Sequence, residues 1–353
     1  MDFIAKTVLG VMSGTSLDGI DLALIYFEKK ENWNFTFIDC ETVPYTARWQ
    51  RRLEKLTRFS QEELHDLNVA YTDFLSEVIQ GFLDKHPTEK IDFISSHGHT
   101  ALHQPEVGIT YQMGNLPQLA STLGHRVICD YRVADVALGG QGAPLVPGGE
   151  VHLFSNYAAC VNLGGFANIT QLAQQPTLAF DITAVNTVLN TLALRQGMAY
   201  DKNGALAKSG KLIEPLFHEL NSLSFYVSSP PKSLGIEWVQ SSIVPLLNRY
   251  GNEGSADLLH TYTMHCANQI AKELPSHGDV LFTGGGAFNS FLMEKIEMFC
   301  SCSIVLPEAE LIEYKEALIF AFLGVLRELQ LDNCLASVTG AKHNHCSGNI
   351  FLP

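Results

Sequence analysis

The stretch GVMSGTSLDGIDLALIYF, Gly10 to Phe27, has apolar residues on both sides of a cluster of Gly, Ser, Thr and Asp. Alternating apolar residues favour strands, and glycine tolerates the backbone angles that a tight turn needs. The stretch therefore predicts two strands joined by a small-residue turn. In that turn, backbone N–H groups and the hydroxyls of Ser13, Thr15 and Ser16 can converge on an anion such as phosphate.

Length and composition limit the classes of protein that the chain can belong to. The chain has 353 residues, which suggests two domains. Hydrophobic residues make up 46% and charged residues 17%, a composition typical of globular proteins and not of disordered chains. The formal net charge of -14 argues against a nucleic-acid-binding surface, which needs clustered Lys and Arg. Phosphorylated ligands stay open, since local N–H donors with a metal ion bind phosphate on an acidic protein.

The eight cysteines are scattered through apolar segments, and no pair has the spacing of a zinc ribbon. Buried free thiols are therefore favoured over disulfides or metal ligands. The N-terminal stretch MDFIAKTVLGVMSG has too short an apolar run before its glycines for a signal peptide, and no segment approaches the ~20 apolar residues of a membrane span. The sequence accordingly predicts a cytoplasmic protein.

Strand and helix patterns alternate along the chain, which predicts an α/β fold. The segment NFTFIDCETVPY alternates like a third strand, and helical periodicity follows, with Ser60 and Glu63 as a capping box. A second strand–turn–strand pattern, YAACVNLGGFANITQLAQ, indicates a second half of related topology. We expect two domains, 1–155 and 156–353, around a central cleft, and a C-terminal tail that is able to pack back on the first domain.

Three glycine turns stand at predicted strand ends, SGTSLDG, NLGGFANIT and TGGGAFN. Each alone is typical of an ordinary turn, and neither the Walker lysine motif nor a dinucleotide fingerprint is present. Their order is more informative. Two strand–turn–strand units can clamp a polyphosphate, and the later GGG before a helix lets a purine approach the backbone.

Two acidic residues are candidates for proton transfer. Asp181 directly follows the apolar run TLAF, so it is expected at the tip of a strand, where it suits a general base for a hydroxyl or a water. A cap for the helix that begins near Val185 fits the local pattern equally well. Glu316 opens EALIFAFLGVL and is either a first-turn partner of the helix dipole or a carboxylate whose pKa is raised by apolar neighbours.

The segment SSHGHTALHQP places His97, His99 and His103 near one strand end. Hydrogen bonding to a substrate suits them better than metal binding, because no carboxylate or cysteine stands at ligand spacing. The Gly- and Pro-rich stretch that follows carries polar residues suited to sugar hydroxyls or a carboxylate, namely Asp130, Arg132, Asp135 and Gln141. Pairing of Arg132 with an Asp is an equal alternative.

Six segments, in order, resemble the motifs of the anhydro-N-acetylmuramic acid kinases: GVMSGTSLDGID, SSHGHTALHQP, GGQGAPLVP, NLGGFANIT, GGGAFN and SVTGAKHNHCSG. The resemblance runs from about residue 8 to residue 348, and MSGTSLDG together with GGQGAPLVP is highly specific to that family. The family belongs to the superfamily of sugar kinases, heat-shock ATPases and actin. The resemblance thus implies two RNase H-like, actin-like ATPase domains with mixed sheets flanked by helices.

The same resemblance implies a kinase of peptidoglycan recycling that depends on ATP and Mg²⁺. Water opens the anhydro bridge of 1,6-anhydro-N-acetylmuramic acid at C1 while ATP phosphorylates the released 6-oxygen, which gives N-acetylmuramic acid 6-phosphate and ADP. It implies a small amino sugar as substrate and a homodimer. The net charge and the lack of a long apolar run predict neither nucleic acid nor membrane as a partner. The alternatives are a kinase of another amino sugar and a non-catalytic, nucleotide-dependent binding protein.

Site residues follow from the matching motifs. The expected ATP-binding residues are Gly14, Thr15, Ser16, Leu17, Asp18, Gly19, Ile20 and Asp21 in the first turn, Gly164, Gly165 and Asn168 in the second, and Gly284, Gly285, Gly286 and Asn289 by the nucleoside. The expected substrate-binding residues are His97, Asp130, Arg132, Asp135, Gln141 and Asn186. Asp181 matches the family's catalytic base, which takes a proton from the water, and Glu316 matches an acid that assists at the sugar.

The chain departs from the family pattern at two places. DITAVN has Thr183 and Ala184 where many members have glycine and proline, and KSLGIEW lacks the Thr and Arg of the common KSTGR form. A subgroup variant and an altered substrate preference both fit these two changes. Val11 stands where many sugar kinases have a metal-associated Asp, so either Asp18 or Asp21 compensates, or ATP itself chiefly holds the magnesium ion.

Overall fold

The computed structural model describes residues 3–14, 17–56 and 59–353. The chain divides into two compact units. Unit 1 covers the described residues of Met1–Leu153 together with Tyr314–Pro353, and unit 2 covers Phe154–Glu313. Among the described residues, no helix combines the length and the apolar composition that crossing a membrane requires.

Strands and helices alternate through both units. The strands are β1 (Ile4–Ser13), β2 (Gly19–Lys29), β3 (Trp33–Pro44), β4 (Phe93–Gln104), β5 (Ile109–Met113), β6 (Val127–Cys129), β7 (Ala159–Leu163), β8 (Phe166–Gln171), β9 (Leu178–Ala184), β10 (Asp279–Thr283), β11 (Ser303–Val305) and β12 (Asn349–Phe351). The α-helices are α1 (Ala47–Leu53), α2 (Gln61–Leu83), α3 (Gln118–Leu123), α4 (Val133–Ala137), α5 (Val146–Leu153), α6 (Asn186–Leu194), α7 (Ala205–Ser209), α8 (Glu214–Asn221), α9 (Ile236–Trp238), α10 (Val244–Arg249), α11 (Ser255–Glu273), α12 (Ser290–Phe299), α13 (Ala309–Glu328) and α14 (Ala336–Thr339).

The two sheets share one strand order. In unit 1 the order is β3–β2–β1–β4–β6–β12, with β5 paired to β4. β1, β2 and β3 are antiparallel neighbours, whereas β4 is parallel to β1 and β6 is parallel to β4. Unit 2 repeats this as β9–β8–β7–β10–β11, again with antiparallel strands followed by parallel ones. The expected α/β fold of two RNase H-like halves is confirmed.

The opening hairpin forms as predicted. β1 and β2 pair from Ile4 with Lys29 to Met12 with Asp21. The residues from Val8 to Ser13 are all buried, which is typical of a central strand covered on both faces. The predicted capping box is also present at the start of α2.

Helix α13 fills the core of unit 1. Its residues from Ala317 to Leu326 are buried, and the first half of that stretch packs close to β1. A Cβ atom on Gly10 would lie only 2.3 Å from the carbonyl oxygen of Ala317. Glycine at this strand position is therefore required by the close approach of helix and sheet. In unit 2, β7 to β10 share one hydrophobic core with α6, α11 and α12.

Candidate active site

The first predicted phosphate turn joins β1 to β2. Thr15 and Ser16 lie outside the described residues. Leu17 has a φ of 60°, a left-handed conformation that is costly for a bulky residue and that concentrates at ligand-binding loops. Gln50 Nε2 donates a hydrogen bond to the Leu17 carbonyl oxygen over 3.2 Å, which helps to hold this conformation.

The other residues of this turn differ in exposure. Asp18 is exposed, Gly14 and Asp21 are partly buried, and Gly19 and Ile20 are buried in β2. The Asp21 carboxylate accepts a hydrogen bond from Thr42 Oγ1 over 2.7 Å. Asp18 and Asp21 thus supply the hard carboxylate oxygens of this hairpin, which is the ligand type that Mg²⁺ prefers.

The second glycine turn joins β7 to β8, and the start of α6 holds it in place. The carbonyl oxygens of Gly164 and Gly165 accept from the backbone N–H groups of Asn186 and Val185 over 3.3 and 2.8 Å. Asn186 Nδ2 donates to the Leu163 carbonyl oxygen over 3.2 Å. Asn186 thus fixes the turn, and Gly165 remains exposed.

The third glycine turn follows β10 and packs on the second. Gly284 has a φ of 81°, and a Cβ atom there would lie 2.5 Å from Asn162 Oδ1. Gly286 is buried against Leu163, whereas Gly285 is exposed with open space where a Cβ would stand. Asn289 begins α12 as its N-cap, with Oδ1 accepting from the Leu292 N–H over 3.1 Å.

A cavity of about 500 Å³ adjoins the third glycine turn within unit 2. Its polar or small lining residues include Asn186, Lys202, Asn203, Gly285, Asn289 and Glu313. The volume lies in the range of about 300–1,000 Å³ that is common for small-molecule sites. Amide, ammonium and carboxylate groups beside an open glycine fit the nucleoside end of a nucleotide.

Asp181 lies in the middle of β9 and not at a strand tip, because the strand continues to Ala184. It pairs in register with Asn168 of β8, so the two side chains project from the same face of the sheet. Its Oδ2 accepts from the Leu234 N–H over 2.8 Å, and burial nonetheless raises the pKa of the carboxyl above its ordinary value. Helix α6 has Val185 as its cap residue, so the capping role considered for Asp181 is wrong.

The segment KSLGIEW lies directly beside Asp181, a placement that the sequence did not predict. The Asp181 N–H donates to the Lys232 carbonyl oxygen over 3.0 Å, and Leu234 supplies the donor to the carboxylate. Lys232 Nζ pairs with Glu273 over 3.0 Å and lies 5.1 Å from the Phe225 ring centroid. The one sequence feature that singled out KSLGIEW was its departure from the family pattern. That departure changes residues that surround the Asp181 carboxylate.

The two residues of DITAVN that depart from the family pattern, Thr183 and Ala184, lie in the core. Thr183 and Ala184 have no exposed surface. Thr183 Oγ1 hydrogen-bonds with the Tyr226 hydroxyl over 2.9 Å, and that hydroxyl lies 2.9 Å from His265 Nε2. The threonine therefore contributes to a buried polar network and does not face a ligand.

Arg132 is the cation among the polar residues of unit 1 that the sequence predicts to bind the substrate. Its Nε and Nη2 lie 3.0 and 2.9 Å from His97 Nε2, and Nη1 donates to the Gly142 carbonyl oxygen over 2.6 Å. His97 Nδ1 donates to the Gly98 carbonyl oxygen, so Nε2 is the accepting nitrogen. Burial and the Arg132 cation hold the pKa of His97 well below its ordinary value. The buried, neutral His97 orients the half-buried guanidinium.

Asp135 has no exposed surface. Its carboxylate accepts from the Gly142 N–H over 2.7 Å and from Thr339 Oγ1 over 2.6 Å. Asp135 therefore holds the loop together and is not accessible to a sugar, which corrects the expected substrate contact.

Asp130 and Gln141 lie on the same stretch as Arg132. The Asp130 carboxylate accepts from Asn115 Nδ2 over 2.9 Å and from Asn349 Nδ2 over 3.1 Å, and burial raises its pKa. The Gln141 side chain is exposed, while its N–H donates to the Thr339 carbonyl oxygen over 2.7 Å. Gln141 is thus the more accessible of the two.

Glu316 lies about two turns into α13, which begins at Ala309, and directly precedes the buried stretch of that helix. Of the two alternatives considered for Glu316, a first-turn partner of the helix dipole is therefore wrong. Its side chain is exposed, yet the protein atoms around it raise its pKa more than the cations of Arg132 and Lys315 lower it. Lys315 itself pairs with buried Glu150.

Comparisons with known proteins agree along the whole chain. The family model described as anhydro-N-acetylmuramic acid kinase matches residues 6–353. The chain is 32% identical to the anhydro-N-acetylmuramic acid kinase of Shewanella loihica over 97% of this chain and 98% of that protein. It is 34% identical to that of Actinobacillus pleuropneumoniae, over 97% and 98%. Among solved structures, component A of (R)-2-hydroxyglutaryl-CoA dehydratase from Acidaminococcus fermentans matches with a TM-score of 0.44 and 13% sequence identity. The match covers 90% of this chain and 96% of that chain, and it is too weak to support a conclusion about function.

Proposed function

Since this chain belongs to the anhydro-N-acetylmuramic acid kinase family, and is therefore a phosphotransferase that acts on that sugar with a nucleotide, we propose that it couples two steps. Water adds its oxygen to C1 and opens the anhydro bridge. The released 6-oxygen takes the terminal phosphoryl group of ATP, which leaves ADP and N-acetylmuramic acid 6-phosphate.

The position of Asp181 is the observation that carries this proposal. Its carboxylate is half-buried, accepts from the Leu234 N–H and stands opposite Asn168, four positions from the second glycine turn. A carboxylate with a raised pKa is a stronger base than an exposed one, so it can take the proton that water loses as it attacks C1. The pKa of Glu316 in unit 1 is also raised by desolvation, and this residue assists at the sugar.

The nucleotide binds through the three glycine turns in this proposal. Gly285 and Asn289 receive the nucleoside at the 500 Å³ cavity, since Gly285 leaves open space there. The turns at Gly14–Asp21 and Gly164–Asn168 receive the phosphates. Asp18 or Asp21 holds the Mg²⁺ ion together with ATP, and the ion neutralises phosphate charge when it is bound.

The sugar binds to the polar stretch of unit 1. Burial lowers the pKa of Arg132 to about 10, so the guanidinium is still a cation at neutral pH. A guanidinium suits the carboxylate of a muramic acid, and the exposed Gln141 suits sugar hydroxyls. Half-buried Asp130 fixes this stretch through Asn115. Asn186 fixes the second glycine turn of unit 2.

Replacement of Asp181 by asparagine tests the proposal, because it keeps the shape of the side chain and its acceptor oxygen. We expect turnover of 1,6-anhydro-N-acetylmuramic acid to fall by about 10²–10⁴-fold, the usual contribution of a general base, with ATP affinity unchanged. Asp279→Asn is the matched control, since Asp279 is an exposed aspartate at the start of β10. Wild-type turnover in Asp181→Asn would contradict the proposed role.

The proposal has two further parts, the place of the reaction and the oligomeric state. We place the reaction in the cytoplasm and expect a homodimer. Light scattering after gel filtration tests the second point, and a mass of one chain across the working concentration range would contradict it.

A further inference from the structure

Three side chains with metal-binding chemistry meet in the interior of unit 1. A carboxylate oxygen of Asp135, the Sγ atom of Cys334 and a ring nitrogen of His345 lie within 4.8 Å of one another. Their exposures are 0%, 1% and 7%. Cys334 and His345 face each other across an isolated antiparallel bridge of the C-terminal tail, and Asp135 belongs to α4.

The hydrogen bonds of His345 leave one ring nitrogen without a partner. Nδ1 lies 3.2 Å from the carbonyl oxygen of His343, so Nδ1 carries a proton, and in the neutral ring Nε2 carries a lone pair. Nε2 is buried and has no hydrogen-bond partner. Asp135 Oδ1 lies 3.6 Å from it, beyond the usual hydrogen-bond length of about 2.7–3.2 Å. A lone pair that faces a carboxylate in a buried site is unfavourable unless a cation stands between them.

The 3.6 Å separation suits a shared metal ion. Zinc bonds of about 2.0–2.2 Å to nitrogen and oxygen, at a tetrahedral angle, place the two ligand atoms about 3.4 Å apart. Ligand histidines usually donate their other ring N–H to a backbone carbonyl or a carboxylate, as His345 does. The Asp135 carboxylate is fixed in turn by Gly142 and Thr339.

We propose that Asp135, Cys334 and His345 bind one Zn²⁺ ion, which ties the C-terminal tail to the loop that carries Arg132 and Gln141. As the sulfur–zinc bond forms, the Cys334 thiol releases its proton to solvent. The carboxylate and the thiolate then balance the two charges of the ion, and neutral His345 completes the set of protein ligands. One tetrahedral position is left for a water molecule. This ion is structural and separate from the Mg²⁺ of phosphoryl transfer.

Metal analysis of the whole chain tests the proposal. Protein from zinc-supplemented cultures is dialysed and its metal content measured by mass spectrometry. We expect one zinc per chain in the wild type and in His343→Asn and Cys346→Ser, whose residues lie in the same tail but outside the cluster. We expect loss of the metal in His345→Asn and Cys334→Ser.

Two measurements on the wild type keep the test independent of how the variants fold. Added Zn²⁺ raises Tm of the chelator-treated protein, and Co²⁺ gives the charge-transfer absorption of a thiolate–cobalt bond. Wild type without zinc and without this absorption would overturn the proposal and leave a metal-free buried cluster. Zinc retained equally by all four variants would overturn it as well, because the metal would then sit elsewhere on the chain.

Discussion

Gly10 and Gly19 of unit 1 and Gly285 of unit 2 have opposite surroundings, although the sheets of the two units share one strand order. A Cβ atom on Gly10 or Gly19 in unit 1 would lie 2.3 Å or 2.6 Å from a backbone carbonyl oxygen, whereas Gly285 in unit 2 has open space around it. A backbone carbonyl cannot rotate away as a side chain can. The same residue type therefore serves packing at Gly10 and Gly19 and leaves room for a ligand at Gly285, and only the structure separates the two roles.

The largest effect on stability is expected at Gly10. Gly10→Ala drives a methyl group into the carbonyl of Ala317, and overpacking of this kind costs roughly 1–3 kcal/mol. Urea unfolding measures the loss. A loss below about 0.5 kcal/mol, the usual range of surface substitutions, would contradict the packing role.

Gly285→Ala is the matched substitution on the other side of the comparison. The added methyl meets open space, so we expect the free energy of unfolding to stay within about 0.5 kcal/mol of the wild type. The methyl occupies the cavity, so KM for ATP should rise while KM for the sugar stays constant. A raised KM for the sugar alone would place the nucleotide elsewhere.

A smaller effect is expected at Arg132. Arg132→Lys keeps the charge but removes the fork of N–H donors, and a charge-assisted hydrogen bond contributes about 1.5–3 kcal/mol. We expect kcat/KM for the sugar to fall at least about tenfold, and KM for ATP to be unchanged. Equal losses for both substrates would point to a general change in the fold.

Thr183→Val tests whether the DITAVN departure concerns the core or the substrate. The change removes the hydrogen bond to Tyr226 and should cost about 1 kcal/mol in urea unfolding. The ratio of kcat/KM for anhydro and reducing sugars should not change, since Thr183 is fully buried. A shifted ratio would show that this departure sets substrate preference.

The smallest effect concerns the stability of Asp181→Asn. Burial raises the pKa of Asp181, so the folded state disfavours the ionised carboxyl, and its stability falls as pH rises through that raised pKa. At neutral pH the asparagine variant should have a higher Tm than the wild type, and the difference should vanish in acid, where both side chains are neutral. Protonation of Asp181 removes the general base, so wild-type kcat should fall as the pH drops through this raised pKa. A lower Tm of the variant at neutral pH would contradict this account.

Local patterns predicted the features that neighbouring residues determine. The opening hairpin, the repeated strand–turn–strand of unit 2 and the capping box of Ser60 and Glu63 all depend on residues close in sequence. The contact of Asp181 with Leu234 spans 53 positions, and that of Asp135 with Thr339 spans 204. Hydrophobic periodicity carries no information about such pairs, so the surroundings of the carboxylate and the burial of Asp135 could not be predicted.

Mass spectrometry of the product formed in ¹⁸O-labelled water tests the coupled reaction most directly. The protein is incubated with ATP, Mg²⁺ and 1,6-anhydro-N-acetylmuramic acid. The account predicts a phosphorylated sugar that carries the label at C1, and loss of this product in Asp181→Asn. A phosphorylated sugar whose anhydro bridge stays closed, or an opened product without label, would contradict it.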